Sequence, residues 1–219
     1  ILCSVIGSDS NARLFIDLMQ QLDMTPDGLI QSPDRPTTVK TRIIGNNHQM
    51  LRVDEERTAE INISERKQLS QRIQHFLDQG KIDVIIFEDY DKGVLTEKVI
   101  AHVIEKAKSL NIPVSVDPKL KNFNLYKGVS LFKPNLKELK EGMKVEFASD
   151  DTNSIEKSLV KLRKELNAES VMVTRSEHGI TSYNGSEFCT HAAHKREIVD
   201  VSGAGDTVIA VATLALAAN

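Results

Sequence analysis

The chain has 219 residues, of which 40 % are hydrophobic and 27 % are charged, and its formal net charge is −3. This balance argues against a disordered chain, and the acidic charge argues against a dedicated nucleic-acid binder, which usually carries a basic surplus. Residues 208–218 form the most apolar stretch, which is about half of the roughly 20 residues that cross a bilayer. Two cysteines, Cys3 and Cys189, cannot build a disulfide framework and favour reduced thiols in a cytoplasmic protein.

Strand-like and helix-like segments alternate along the chain. Apolar runs predict strands at residues 1–6, 37–44, 48–54, 82–87, 114–116, 129–132, 171–174, 180–183 and 187–190. Apolar residues at helical spacing predict helices at residues 11–22, 64–79, 96–110, 153–167 and 203–218, with Ser64 as the N-cap of the second helix. The alternation predicts βαβ units and a mostly parallel sheet, with the strand at 82–87 buried on both faces.

Residues 37–54 interrupt this alternation with two consecutive strands. Gly45, Asn46 and Asn47 stand between the strands and tolerate the positive φ of a tight turn. The segment therefore predicts a hairpin that stands off the main sheet. Among its β-branched residues the hairpin carries the cations Lys40, Arg42 and Arg52.

Several polar loops follow predicted strands directly. They occupy residues 89–93, 117–119, 133–138 and 174–179. Each loop taken singly is typical of an ordinary connection. Ligands of parallel sheets bind beyond the carboxyl ends of the strands, so the loops together indicate a binding edge.

The segment at 200–207 reads Asp-Val-Ser-Gly-Ala-Gly-Asp-Thr and opens the last predicted helix. Gly203 and Gly205 let the backbone turn into the helix, whose free N–H groups favour a phosphate. Asp206 beside such an anion hole suits proton abstraction from a hydroxyl that attacks phosphorus. The alternative stays open that Asp206 only caps the helix and the glycines only make a turn. The glycines complete neither a Walker A loop nor a dinucleotide fingerprint.

A second candidate site lies at residues 133–138. Asn135 and Glu138 are three residues apart at a helix start, so their side chains face the same way. An amide oxygen and a carboxylate suit hydrated Mg²⁺. The alternative is that Asn135 caps the helix and Glu138 completes its capping box.

These motifs resemble the ribokinase (PfkB) carbohydrate-kinase family. The resemblance is carried by the segment at 200–207, by Asn135-Leu136-Lys137-Glu138 and by Val173-Thr174 with Gly179, and it runs over essentially the whole chain. It implies an α/β fold, a ribokinase-like three-layer sandwich with a mostly parallel central sheet and a small β-lid hairpin at 37–54. It also implies one kinase domain over 1–219, which looks cut at both ends, as an internal piece of a longer polypeptide would.

The resemblance assigns roles to individual positions. Asp206 is the implied catalytic base, and the backbone of Gly203, Ala204 and Gly205 is the implied anion hole for the transferring phosphoryl group. The residues implied to bind ATP are Asn135, Leu136, Lys137, Glu138, Thr174, Ser176 and Gly179. Of these, Asn135 and Glu138 are implied to organise Mg²⁺. The residues implied to bind the sugar or its phosphate are Lys40, Arg42, Gln49, Arg52 and Lys92. For the lid residues the alternative is that edge-strand cations guard against aggregation.

Shorter matches at 36–42, 49–54, 89–93 and 173–177 are similar to the branch of the family that acts on a heptose phosphate. They imply phosphorylation of D-glycero-D-manno-heptose 7-phosphate at its anomeric hydroxyl, in the synthesis of lipopolysaccharide-core precursors. They also imply a homodimer through the lid and an adenylyltransferase domain in a longer parent. Two positions depart from the family pattern, Val201 where Thr is common and Glu88 where a small residue is common. Another sugar kinase of the family and a non-catalytic binding module stay open as alternatives.

Overall fold

The computed structural model describes residues 1–45, 48–193 and 203–218. The chain divides into two compact units, Ile1–Gly80 with Lys92–Val99, and Lys81–Asp91 with Ile100–Asn219. Within the described residues, every helix falls short of the length and apolar character that a membrane span needs.

The first unit contains a small parallel sheet. Its elements are β1 (Ser4–Gly7), α1 (Ser10–Gln21), β2 (Leu29–Ser32), β3 (Val39–Gly45), β4 (His48–Glu55) and α2 (Ile63–Asp78). Strands β1 and β2 pair in parallel, and α1 buries Ala12 and Met19 against Ile6 and Leu29. The helix is fixed at its start by Asp9, whose carboxylate accepts the N–H of Ala12 at 2.8 Å.

The predicted hairpin is present as the antiparallel pair of β3 and β4. Its register sets Lys40 opposite Asp54 and Arg42 opposite Arg52, with an irregularity between Ile43 and Ile44. Successive side chains along each strand point to opposite faces of the hairpin. The predicted turn residues Asn46 and Asn47 lie outside the described residues.

Helix α2 begins one residue earlier than predicted, and its N-cap is Asn62 rather than Ser64. Asn62 Oδ1 accepts the N–H of Glu65 at 2.9 Å, and Glu65 Oε2 accepts the N–H of Asn62 at 2.8 Å. This reciprocal pair is a capping box, which satisfies two backbone donors at once. The prediction of Ser64 as the cap was therefore wrong.

The second unit holds a six-stranded sheet in the order β10-β9-β8-β7-β6-β5. Its strands are β5 (Ile85–Glu88), β6 (Val114–Asp117), β7 (Leu131–Phe132), β8 (Ser170–Thr174), β9 (Ile180–Tyr183) and β10 (Phe188–His191). The helices are α4 (Leu136–Met143), α5 (Thr152–Leu166), α6 (Ala204–Ala217) and residues 100–109 of α3 (Glu97–Ser109). Strands β5 to β8 run parallel, whereas β9 and β10 continue the sheet antiparallel.

The core of this unit lies on the middle strands. Val116, Phe132, Val171 and Val173 are fully buried there. The edge strand β5 is different, because Ile86 keeps 37 % of its surface exposed. The prediction that this strand is buried on both faces was therefore wrong, since the face that carries Ile86 is only partly covered.

Candidate active site

Polar side chains gather at the carboxyl ends of the parallel strands of the second unit. Glu88 ends β5 and Asp117 ends β6, and the two are direct register partners. Lys133 follows β7, and Thr174 ends β8. The predicted binding edge is thus formed by the parallel pairing itself.

Three carboxylates meet at this edge. One oxygen each of Glu88, Asp117 and Asp206 lies within 4.8 Å of the others. Asp206 stands in the first turn of α6, which packs against β5 and β6. Carboxylates at such spacing are suitable ligands for a divalent cation. Sequence reasoning selected Asn135 and Glu138 for the metal instead, and met Glu88 only as a departure from the family pattern.

The crowding of these carboxylates changes their proton affinity. Burial, followed by the charges of Asp117 and Asp206, raises the pKa of Glu88 to about 7. Burial also raises the pKa of Asp117, against the opposing effect of Lys133. Lys133 Nζ lies 2.9 Å from Asp117 Oδ2, and the lysine side chain is buried. Sequence reasoning missed Lys133 as a partner, because nothing in its own segment points to Asp117.

The glycine turn before α6 has the predicted form. Gly203 has φ 80°, a left-handed conformation that favours glycine, and the helix starts at Ala204. The first backbone N–H groups of a helix have no acceptor within it, so they are available to an anion. A Cβ atom on Gly205 would lie 3.6 Å from Asp117 Oδ2 and 3.7 Å from Lys133 Nζ, so a longer side chain there would meet this ion pair. Residues 200–202 of the motif lie outside the described residues.

Tyr90 is a neighbour of Asp206 that sequence reasoning missed. Its hydroxyl donates a hydrogen bond to Asp206 Oδ1 at 3.1 Å. Burial and the Asp206 charge raise the pKa of Tyr90 to about 12. The preceding residue, Asp89, is buried and accepts hydrogen bonds from the Tyr126 hydroxyl at 2.7 Å and from Asn122 Nδ2 at 3.0 Å.

Asn135 and Glu138 form the capping box that sequence reasoning left open as an alternative. Asn135 Oδ1 accepts the N–H of Glu138, and Glu138 Oε2 accepts the N–H of Asn135, both at 2.9 Å. The other oxygen of Glu138 forms a close ion pair with Lys119. Both side chains therefore support the helix start, and their role toward a metal stays a prediction.

A cleft of about 510 Å³ lies beside this helix start. It is lined by five of the predicted nucleotide residues, Asn135, Leu136, Lys137, Thr174 and Ser176, and by Arg175, which sequence reasoning did not select. Gly179 is outside the lining. It closes the neighbouring turn with φ 80°, where a Cβ atom would overlap the carbonyl oxygen of His191.

The predicted substrate cations belong to the first unit and are mostly paired with carboxylates. Lys40 Nζ lies 3.1 Å from both Asp54 and Glu56, and Lys92 Nζ lies 2.6 Å from Glu56. Arg52 Nε lies 2.9 Å from Asp54. Sequence reasoning selected neither acid as a candidate site residue. The two remaining residues, Arg42 and Gln49, are exposed.

The chain matches the family model described as pfkB family carbohydrate kinase over residues 1–219. It is 40 % identical over 209 residues to the bifunctional protein HldE of Wolinella succinogenes, covering 95 % of this chain and 43 % of that protein. It is 39 % identical over 215 residues to the bifunctional protein HldE of Campylobacter jejuni subsp. jejuni serotype O:2, covering 97 % and 43 %. The chain thus spans less than half the length of these curated relatives.

Solved structures are similar to this chain in fold. The tetrameric inhibited form of phosphofructokinase-2 from Escherichia coli matches with a TM-score of 0.78 at 16 % identity, over 98 % of this chain and 69 % of the other. Ribokinase from Giardia lamblia matches with a TM-score of 0.72 at 17 % identity, over 94 % and 63 %. These matches confirm the predicted ribokinase-like α/β fold. Together with the family model, they lead to one conclusion: the chain belongs to the pfkB family of carbohydrate kinases.

Proposed function

We propose that this chain is an ATP-dependent sugar kinase whose substrate is D-glycero-D-manno-heptose 7-phosphate, phosphorylated at the anomeric hydroxyl to the 1,7-bisphosphate. The observation that carries the proposal is the position of Asp206, which lies in the first turn of α6 directly after the glycine turn. The heptose assignment is supported by the sequence motifs and by the similarity to proteins called bifunctional protein HldE.

In the proposed reaction Asp206 accepts the proton of the sugar hydroxyl as the oxygen attacks the γ-phosphorus. The backbone of Gly203, Ala204 and Gly205 holds the charge that develops on the phosphoryl oxygens. Mg²⁺, when bound, would offset part of that charge. The oxygen donors of Glu88 and Asp117 fit this ion, and Asn135 and Glu138 stay the prediction for a contact with it, directly or through water.

The cleft beside α4 is the proposed site for ATP. Its lining combines the cations Lys137, Lys140 and Arg175 with the carboxylates Glu141, Glu146 and Glu177. The backbone of Asn135 bridges to Thr174, which joins the two predicted nucleotide segments at one place. The roles of Leu136, Ser176 and Gly179 follow from this proposal.

The hairpin supports a substrate that already carries a phosphate. Arg42 and Arg52 stand directly opposite each other across β3 and β4. Like charges in this arrangement destabilise a strand pair, and a phosphate dianion between them would offset the repulsion. Lys40, Gln49 and Lys92 complete the proposed sugar-phosphate set.

The opposite face of the hairpin supports a homodimer. Ile43, Leu51 and Val53 share this face by register, and each keeps about half of its surface exposed. Apolar side chains grouped on an exposed strand face are typical of a surface that pairs with another chain. A second, adenylyltransferase activity in a longer parent and a cytoplasmic location belong to the same proposal.

The test is ADP release with Mg-ATP and a panel of sugar phosphates, comparing the parent protein with its Asp206→Asn variant. We expect turnover on the heptose phosphate, and a loss of about 10²-fold or more in kcat for the variant with ATP affinity nearly unchanged. Asp83→Asn, which changes an exposed aspartate before β5, is the matched control and should keep normal kcat.

Each other outcome has a distinct meaning. Turnover on a different sugar would support the kinase activity and reject the heptose phosphate as the substrate. Near-normal kcat in Asp206→Asn would show that Asp206 is not the catalytic base. ATP binding without turnover on any sugar would favour the non-catalytic binding module.

A further inference from the structure

Tyr90 contacts the proposed base from a segment that is distant in sequence. It lies 116 positions before Asp206 in the chain, and its hydroxyl donates to Asp206 Oδ1 at 3.1 Å. About half of the Tyr90 surface is exposed, so burial in the core does not account for the position of its ring. The contact joins the end of β5 to the first turn of α6.

The backbone around Tyr90 is fixed by its neighbours. Asp89 is buried and accepts hydrogen bonds from the Tyr126 hydroxyl, from Asn122 Nδ2 and, at 2.8 Å, from the N–H of Asp91. Asp91 then adopts a positive φ of 54°, which turns the chain sharply after the tyrosine. A side chain presented by a segment held in this way can place its hydroxyl reproducibly.

A hydrogen bond to one carboxylate oxygen has a directional consequence. An aspartate with two free oxygens rotates about its last side-chain bond, and an oxygen of each of two further carboxylates, Glu88 and Asp117, lies within 4.8 Å of Asp206. A donor on Oδ1 restricts that rotation and leaves Oδ2 to receive a proton. Orientation of a base in this way contributes to catalysis by proximity.

We propose that Tyr90 is a positioning residue for Asp206, holding one carboxylate oxygen so that the other faces the substrate hydroxyl. The inference rests on the proposed function, since it assigns a helper to the proposed base. It gives a role to a residue that the resemblance covered only as part of the segment at 89–93.

The first test is a double-mutant cycle in the parent protein. Removing one hydrogen bond to a charged group should lower kcat of Tyr90→Phe about tenfold, with both KM values within about twofold. In an Asp206→Asn background the same change should cost nothing further, because the group on which Tyr90 acts is already removed. Tyr183→Phe, which removes a hydroxyl bound to the Gly185 carbonyl oxygen, is the matched control and should be silent.

Two results would overturn the proposal. One is an unchanged kcat in Tyr90→Phe. The other is a full tenfold loss added to that of Asp206→Asn, since independent effects multiply. If the unchanged kcat comes with a raised KM, the pattern assigns Tyr90 to substrate binding instead.

A second measurement needs no turnover. A near-ultraviolet difference spectrum between two variants cancels the absorption of every aromatic residue whose surroundings the variants share. Asp206→Asn should change the tyrosine band relative to wild type, and the same substitution in Tyr90→Phe should not. Normal turnover with no spectral difference would remove only the positioning role. An intact spectral difference in a wild-type protein that phosphorylates no sugar would remove the proposed function and, with it, the role of Tyr90 in that reaction.

Discussion

At the scale of single residues, Glu88 couples protonation to folding. Its pKa rises from an ordinary 4.5 to about 7, because burial and two neighbouring carboxylates disfavour its charge. The folded chain therefore binds this proton more tightly than the unfolded chain. Below about pH 4.5 both states hold the proton and there is no penalty. As the pH rises toward 7 and above, the folded state loses stability, since it must ionise Glu88 beside Asp117 and Asp206.

Glu88→Gln should consequently stabilise the protein only at high pH. With a chelator present, we expect a melting temperature about 2–4 °C above wild type at pH 8, and no difference at pH 4. The figure corresponds to about 1 kcal/mol after allowance for solvent screening. Glu187→Gln, at an exposed glutamate, is the control. An equal difference at both pH values would show that packing, not ionisation, causes the effect.

Gly179 is a position where a side chain should be poorly tolerated. Its φ of 80° is unfavourable for other residues, and a Cβ atom would overlap the His191 carbonyl oxygen. Gly179→Ala should therefore cost about 3 kcal/mol or more of unfolding free energy in denaturant titrations. Gly80→Ala is the matched control, because Gly80 has φ 65° but no atom lies within 4 Å of where its Cβ would be. This substitution should cost about 1 kcal/mol of unfolding free energy. Equal losses would mean that the overlap is relieved by movement.

Only some residues of the candidate site were predictable from the sequence. The Gly203 turn and Asp206 were predictable, because glycine spacing before a helix has local meaning. Tyr90 and Lys133 were not, since their partners Asp206 and Asp117 come from other strands and helices. Glu88 was visible only as an unusual residue, and its raised pKa required the pairing of β5 with β6.

At the scale of elements, the start of α2 has two candidate N-cap residues, Asn62 and Ser64. Asn62 caps the helix, whereas Ser64 only accepts a side-chain hydrogen bond from Gln68 at 3.2 Å. Asn62→Ala should destabilise the protein by about 1 kcal/mol in equilibrium unfolding, and Ser64→Ala by a few tenths at most. A larger loss in Ser64→Ala would contradict the capping box.

Elements with a clear apolar period were predicted to within a few residues. Strand β2 was missed, because Leu29 and Ile30 are its only consecutive apolar residues and Pro33 follows closely. Its identity depends on parallel pairing with β1, which no local pattern encodes. The exposure of Ile86 is a similar case, since the packing of other elements onto the sheet decides how far each face of β5 is covered.

At the scale of the whole molecule, the proposed homodimer makes the hairpin an assembly surface. Ile43, Leu51 and Val53 share one exposed face, and the cations Lys40 and Arg42 share the other. The two faces can therefore be altered separately. A charge on the apolar face should disturb association and leave the proposed sugar-phosphate residues in place.

Leu51→Lys tests this separation. Lysine is well tolerated on exposed strands, so the hairpin should still form, while a charge buried between two apolar faces would oppose pairing. In sedimentation experiments the wild-type parent protein should have twice the mass of one chain, and the variant should shift to the mass of one chain. Val160→Lys, at an exposed apolar position on α5, is the control and should keep the wild-type mass. A monomeric wild type would reject the dimer, and a dimeric Leu51→Lys would move the interface to another surface.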